Sequence, residues 1–202
     1  MSTLYPAENR SSAVPTLAVA RVARGRRAAL AFALLLTLGG FGALVGFEAS
    51  GAVECARTSQ LQLQFAWTQA RIDAVLACWG EPGRRAVARG LIADYVFIAG
   101  YVLLLVTLAM RLGGAVGAVA GAGWRRAAWS ASAAALAAGF LDVVENLAIR
   151  AVLNGATADP LGLAIGLLAS VKFALAGGCV VFVFVAAWKP WRTGAHSRGD
   201  RA

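Results

Sequence analysis

The chain is short of the residues that soluble domains and most metal centres use. Charged residues fill only 14% of its 202 positions, well below the share of about 25% in soluble domains. Three Cys and one His, His196 in the polar C-terminal stretch, leave no cluster for structural zinc, haem or iron-sulfur ligation. A metal such as a divalent cation would therefore need oxygen ligands.

Apolar residues take the place of the missing charge. They make up 59% of the chain, and the mean hydropathy of +0.68 is typical of a polytopic membrane protein. The net charge of +9 comes from Arg and Lys scattered over termini and loops, with no aromatic-interleaved basic surface. The excess therefore predicts membrane lipids as partners and no nucleic acid.

Four apolar runs are long enough to cross about 30 Å of hydrocarbon, at about 28–47, 91–112, 127–150 and 161–188. They predict an all-α fold, an integral membrane antiparallel four-helix bundle. A basic cytosolic tail precedes it over 1–27 and a second tail, with its last ten residues disordered, follows over 189–202. A cleaved signal peptide competes for the first run, because Ala49, Ser50 and Gly51 imitate a cleavage site, but the apolar core is longer than usual.

Residues 48–90 are polar enough to leave the bilayer and predict an extracytoplasmic amphipathic helical cap. Thr58 or Ser59 is a suitable N-cap, and Gly80 and Pro82 are stop signals. The apolar face of this helix would consist of Leu61, Phe65, Ile72, Leu76 and Trp79. The same pattern also fits a loop that packs on the bundle.

The three cysteines have different expected roles. Cys55 and Cys78 fall on the outer side, where either a disulfide or two free thiols are consistent with the sequence. Cys179 is expected to be a small apolar filler within the fourth span.

Small residues are spaced for close helix contact in two spans. In the first span these are Gly39, Gly42 and Gly46. In the fourth they are Gly162, Gly166 and Ser170.

The distribution of positive charge predicts the orientation. With four spans, both termini and the 111–126 loop lie on one side and carry twelve Lys and Arg, against six on the other side. The positive-inside rule then puts both termini in the cytosol, with the chain in the inner membrane. Asp94, Asp142, Glu145 and Asn146 consequently lie in the outer half of the bilayer, and Lys172 lies near its midplane.

These polar residues within apolar spans are the candidate site. A lone charge in hydrocarbon is costly, so Asp142 is expected to pair with Lys172. Glu145 and Asp94 would share a proton, bind a cation or hydrogen-bond to neighbours. The candidate catalytic residues are Asp142, Glu145, Asp94 and Lys172. The candidate ligand-binding residues are Asn146, Tyr101, Tyr95, Glu48 and Arg150, of which Glu48 and Arg150 lie at the interface.

Three functions fit this pattern. The first is a site open to the outer leaflet that binds or transforms a lipid-like or small apolar molecule by acid-base chemistry, with Lys172 stabilising negative charge. The second is a proton- or cation-coupled carrier, which at this size would need a homo-oligomer. The third is a structural or assembly subunit whose polar residues only hold helices together. Whether the chain is an enzyme stays open.

The chain resembles small bacterial four-span membrane proteins of uncharacterised function over about residues 30–188. The positions that carry the resemblance are Phe47-Glu48, Trp79, Asp94-Tyr95, Tyr101, Asp142-x-x-Glu145-Asn146 and Lys172. The resemblance implies a four-span fold and a membrane location, and it carries no activity. The Asp-rich motifs of membrane prenyltransferases, the Cys-x-x-Cys of quinone-linked oxidoreductases and the His-rich motifs of desaturases are not found.

Overall fold

A computed structural model describes residues 13–50, 59–157 and 159–199 of the chain. Every regular element in these ranges is an α-helix, which confirms the predicted all-α class. The helices are α1 (Ala13–Ser50), α2 (Gln60–Gln64), α3 (Gln69–Ala120), α4 (Ala122–Leu153) and α5 (Asp159–Gly199). α5 continues to Gly199, and the disorder predicted for the last ten residues stays a prediction.

Three helical segments within the described ranges are long and apolar enough to cross a membrane: Arg27–Ser50, Gln69–Ala120 and Pro160–Lys189. Large apolar side chains such as Leu35 on α1 and Phe184 on α5 are exposed on their outer faces. An apolar exterior suits helices that contact lipid, so these segments suggest a membrane protein. α4 is not among the three, and the predicted count of four spans stays a prediction.

The helices pack in a fixed order around α3. α1 packs along α3, and α3 packs against both α4 and α5, which also contact each other. α4 runs antiparallel to α3, since Asn146 lies beside Asp94 and the other end of α4 lies beside Gly113. It runs antiparallel to α5 as well, since Glu145 contacts Lys172 and Trp124, at the other end of α4, contacts Phe182. The polar face of α4 is therefore enclosed between α3 and α5.

Two glycines bring α1 and α3 into close contact. A Cβ atom added at Gly40 would lie 2.7 Å from the Cα of Phe97, and one added at Gly100 would lie 2.7 Å from the carbonyl carbon of Leu36. The backbones therefore approach more closely than any side chain allows. The prediction of close contact in the first span therefore holds at Gly40 but not at Gly39, Gly42 or Gly46, where an added Cβ would meet no described atom within 4 Å.

The two glycines predicted to make close contacts in the fourth span do so, but with the α2–α3 connection. An added Cβ would lie 2.9 Å from the carbonyl carbon of Thr68 at Gly162 and 2.7 Å from the ring of Trp67 at Gly166. Trp67 has a φ of 62°, an uncommon value for a bulky residue. Its packing on the glycine face of α5 holds the backbone in this conformation.

The predicted single cap helix is divided in two. Ser59 caps α2 as expected, its hydroxyl accepting from Leu61 N at 3.3 Å. The chain then leaves the helix at Phe65 and restarts at Thr68, whose hydroxyl accepts from Arg71 N. Because of this break the predicted apolar face is only partly buried. Ile72, Leu76 and Trp79 are buried, whereas Leu61 and Phe65 are exposed.

The helix boundaries around the second span also differ from expectation. Gly80 interrupts α3 with a φ of 57°, as its predicted stop signal implies, but the helix resumes at once with Pro82 in its first turn. It then continues through the Gly-rich stretch to Ala120 and turns only at Gly121, where φ is 98°. The span that was predicted over 91–112 is therefore part of a longer helix.

Two of the three cysteines, Cys78 and Cys179, lie within the described residues. Cys78 is disulfide-bonded, while Cys55 lies outside the described residues. Cys179 is a free, buried thiol that packs among Leu105, Ala109 and Ala135, consistent with an apolar filler.

The α1–α3 contact leads to a matched pair of substitutions. Gly40→Ala should lower the free energy of unfolding by about 1–3 kcal/mol, because its methyl group meets the α3 backbone. Gly39→Ala, one residue away, should be neutral or stabilising, because its methyl group meets open space and Ala favours a helix. Thermal unfolding of the purified protein in detergent measures both. Equal effects would contradict the α1–α3 packing described here.

Candidate functional site

The site is built on one face of α4. Asp142, Glu145 and Asn146 are separated by three and four residues, so they fall on the same side of the helix. Their exposed fractions are 6%, 0% and 0%, because α3 and α5 cover this face. The polar residues of this apolar stretch are therefore enclosed within the fold.

Lys172 of α5 is shared by two of these carboxylates. Its Nζ donates to Asp142 Oδ1 and lies 2.8 Å from Glu145 Oε2. The hydroxyl of Tyr101 on α3 donates to the other Asp142 oxygen, Oδ2, at 3.1 Å. The structure thus contains the Asp142–Lys172 pair that the sequence suggests, and adds Glu145 and Tyr101 to it.

A second group of hydrogen bonds surrounds Asp94 on α3. Asp94 Oδ2 accepts from Asn146 Nδ2 at 2.7 Å and from Gln60 Nε2 at 3.3 Å. Gln60 Nε2 also donates to Asn146 Oδ1 at 2.7 Å. The backbone N–H of Gln60 donates to Glu48 Oε1 at 2.6 Å, which ties the end of α1 to α2. Four helices therefore meet at this second group.

The structure does not bring all the candidate residues together. The side chains of Tyr95 and the exposed Arg150 make no hydrogen bond or ion pair with the cluster residues, so neither joins the cluster. Gln60, which links Glu48, Asp94 and Asn146, was missed by the sequence analysis. Its only sequence signal is its position one residue after the Ser59 cap, with Gln64 following one turn later.

The buried cluster contains more carboxylates than cations. Asp94, Asp142 and Glu145 are at most 6% exposed, and Lys172, at 4%, is the one buried cation among the described side chains. With every carboxyl group ionised, the cluster would carry two uncompensated negative charges. Because net charge in a low-dielectric interior is costly, the site must bind positive charge as protons, a cation or a ligand.

Several buried oxygen atoms lack a hydrogen-bond donor. Glu145 Oε1 and the side-chain carbonyl oxygens of Gln60 and Gln64 have none within the described part of the chain. Glu145 Oε2 is close to Lys172 Nζ but is not aligned for a hydrogen bond. These unpartnered atoms are all acceptors, so a bound group that complements them would be a donor.

A cavity of about 240 Å³ reaches the cluster between α3 and α5. Tyr101, Asp142 and Lys172 form its polar end. The remaining wall is apolar and consists of Phe97, Leu104, Leu105, Phe173, Ala176 and Val180. Phe173 and Val180 are also exposed on the outer surface of α5, so the cavity opens sideways between the two helices.

The carboxylates are not arranged as a metal centre. Within the described ranges, no group of three or more His, Cys, Asp or Glu side chains is placed to hold a metal ion.

Comparison with protein-family models, with curated proteins and with solved structures finds no match. The resemblance that rests on the Asp-x-x-Glu-Asn stretch stays a prediction.

The ion pairs of Lys172 predict a strong and reversible effect on stability. Lys172→Met should lower the free energy of unfolding by about 3–5 kcal/mol, because it leaves two carboxylates buried without their cation. Adding Asp142→Asn and Glu145→Gln should recover most of this loss, since the charges disappear with their partner. Reversible unfolding in mixed micelles measures the change.

Lys189→Met is the control for that experiment. Lys189 Nζ lies 4.3 Å from the centre of the Trp124 ring and has no ion pair among the described residues. Its loss should cost about 1 kcal/mol or less. A Lys172→Met variant as stable as this control, or a triple variant with no recovery, would contradict the ion-pair arrangement.

Proposed function

We propose that the chain is an integral membrane protein that binds a lipid-like or small apolar molecule in the cavity between α3 and α5. The observation that carries the proposal is a lateral, apolar cavity that ends at Tyr101, Asp142 and Lys172. A molecule that enters from the bilayer would keep its tail among apolar side chains and bring its polar end to these three residues. Membrane lipids are thus the expected partners.

The antiparallel packing of α4 supports four spans. If α3 and α5 cross the bilayer, α4 must cross it too, because it contacts both from the Trp124 end to the Asn146 end. The carboxylates of α4, Asp142 and Glu145, and their partner Lys172 on α5 are enclosed by the neighbouring helices, as intramembrane charges require. α2 and the first turns of α3, up to Gly80, would then form the outer cap.

The orientation with both termini in the cytosol is part of the same proposal. Twelve Lys and Arg then face the cytosol and six face the outside of the inner membrane. The disulfide at Cys78 supports this direction, because a stable disulfide requires the oxidising outer compartment.

This orientation makes a prediction about chemical accessibility. Ala156→Cys, in the α4–α5 turn, should react in intact cells with a maleimide that does not cross membranes. Gly123→Cys, at the opposite end of α4, should react only after the membrane is permeabilised. The unsubstituted protein measures the background of the native thiols. The reverse pattern, or labelling of both positions in intact cells, would contradict the four-span orientation.

In an enzymatic form of this function, the groups at the cavity would perform acid-base chemistry. Asp142 lines the cavity and is placed to accept or donate a proton, and Lys172 is placed to stabilise negative charge. Glu145 and Asp94 lie behind them and would exchange protons with Asp142. Asn146, Gln60 and Glu48 would hold this arrangement in position through their hydrogen bonds.

One observation favours a proton- or cation-coupled carrier as the second candidate. The buried carboxylates outnumber the buried cation, so the cluster must bind positive charge. Proton flux into liposomes that contain the purified protein, abolished by Glu145→Gln with the fold intact, would favour this candidate. A purely structural role would instead predict that Glu145→Gln and Asp94→Asn alter stability alone.

The cavity itself makes the most direct prediction of the proposed function. Ala176→Phe places a ring in the cavity and should remove most of the lipid-like molecule that copurifies with the protein, as measured by mass spectrometry. Ala174→Phe is the matched control, since Ala174 is exposed on the same helix and does not line the cavity. Equal amounts of bound molecule in both variants would contradict the proposal.

A further inference from the structure

The way in which Lys172 is held suggests what kind of ligand the cavity binds. One ammonium group serves two carboxylates, Asp142 and Glu145, and the second oxygen of Glu145 has no donor. Asp94 adds a third carboxylate whose partners are the neutral amides of Asn146 and Gln60. The pair of carboxylates around Lys172 is therefore one positive charge short.

We propose that the molecule bound in the cavity carries an ammonium head group that pairs with Asp142. This inference rests on the proposed function, because it names the class of ligand for the same cavity. Asp142, Tyr101 and Lys172 line the cavity, and Asp142 is the one carboxylate among these lining residues, so an incoming ammonium that takes the place of Lys172 pairs with Asp142. Glu145 does not line the cavity. When Lys172 releases Asp142, the unpartnered oxygen of Glu145 provides a second acceptor for the Lys172 ammonium group. Each carboxylate then has a cation of its own.

The cavity wall supports a cationic head group over an anionic one. The ring of Phe173, which lines the cavity, already lies 5.2 Å from Lys172 Nζ, a distance at which an aromatic face attracts a cation. Phe97 and Tyr101 add two more rings, with their centres 5.3 Å apart. Lys172 also lines the cavity, but it is already shared by two carboxylates, so a carboxylate or phosphate head group would add to the excess of negative charge in the cluster.

The volume of the cavity restricts the rest of the ligand. At about 240 Å³ it is smaller than the pockets of about 300–1,000 Å³ that enclose whole drug-sized molecules. It therefore holds the head group and the beginning of a tail, which leaves sideways past Phe173 and Val180 into the lipid. A long-chain amine has the required chemistry.

Three probes with the same tail test the inference. Dodecylamine, dodecanol and dodecanoic acid are titrated into the full chain in nanodiscs of uncharged lipid at neutral pH, and binding to empty nanodiscs is subtracted. The amine should bind about tenfold more tightly than the alcohol, which is the contribution of one hydrogen bond to a charged group. The acid should bind most weakly.

Two variants test which residues cause the tighter binding of the amine. Glu145→Gln should bring the affinity for the amine close to that for the alcohol, because Lys172 then stays with Asp142. Asp73→Asn is the control, since Asp73 is an exposed acid that bonds to Gln69 outside the cluster. It should leave the preference for the amine unchanged.

The outcomes separate this inference from the proposed function. Equal binding of the amine and the alcohol, tighter binding of the acid, or an unchanged preference in Glu145→Gln would overturn the ammonium proposal and leave a lipid-binding cavity. Failure of all three probes to bind would overturn both. If Glu145→Gln does not fold, the comparison of the three probes on the unsubstituted protein still decides the question.

Discussion

Lys172 of α5 contacts two carboxylates that lie one helical turn apart on α4, and the rest of the site is arranged around these two ion pairs. In an apolar interior an ionised Lys needs a carboxylate, and two buried carboxylates need at least one cation. The same contacts fix the relative positions of α4 and α5, and Tyr101 joins α3 to them. A requirement of charge pairing therefore determines how three helices are placed.

The Asp94 end of the site depends on residues that lie outside the long apolar runs. The side chain of Gln60 donates hydrogen bonds to Asp94 and Asn146, and its backbone N–H donates to Glu48. α2 therefore covers the Asp94 end of the polar face. α2 is in turn held by the packing of Trp67 on Gly166. The cluster is thus covered by α2 at its Asp94 end and reached from the side by the cavity between α3 and α5, as the proposed binding of a molecule from the bilayer requires.

Much of this arrangement could be predicted from the sequence, because helical spacing and the cost of buried charge are local or general rules. The spacing of Asp142, Glu145 and Asn146 places them on one face, and Lys172 is the only cation near the middle of an apolar run. Gln60 could not be found in this way, since a single polar residue after a helix cap has no periodic signal.

The remaining errors have the same kind of cause. The apolar positions from Leu61 to Trp79 fit one helix, but the contact of Trp67 with α5, distant in sequence, breaks that helix in two. The first span contains several glycines, and only the three-dimensional packing shows that Gly40, rather than Gly39 or Gly42, makes the close contact with α3. Local patterns predict which segments are helical, whereas contacts between distant segments decide where they bend and which faces meet.

The central claim is that Lys172 is shared by Asp142 and Glu145, and solid-state NMR in lipid bilayers measures it directly. The chain has only two lysines, so Lys189→Arg leaves a single ¹⁵N-labelled side-chain amine at Lys172. We expect this nitrogen to show short distances to a ¹³C-labelled Asp carboxyl group in one sample and to a labelled Glu carboxyl group in another. A nitrogen close to only one of them, or to neither, would contradict the account.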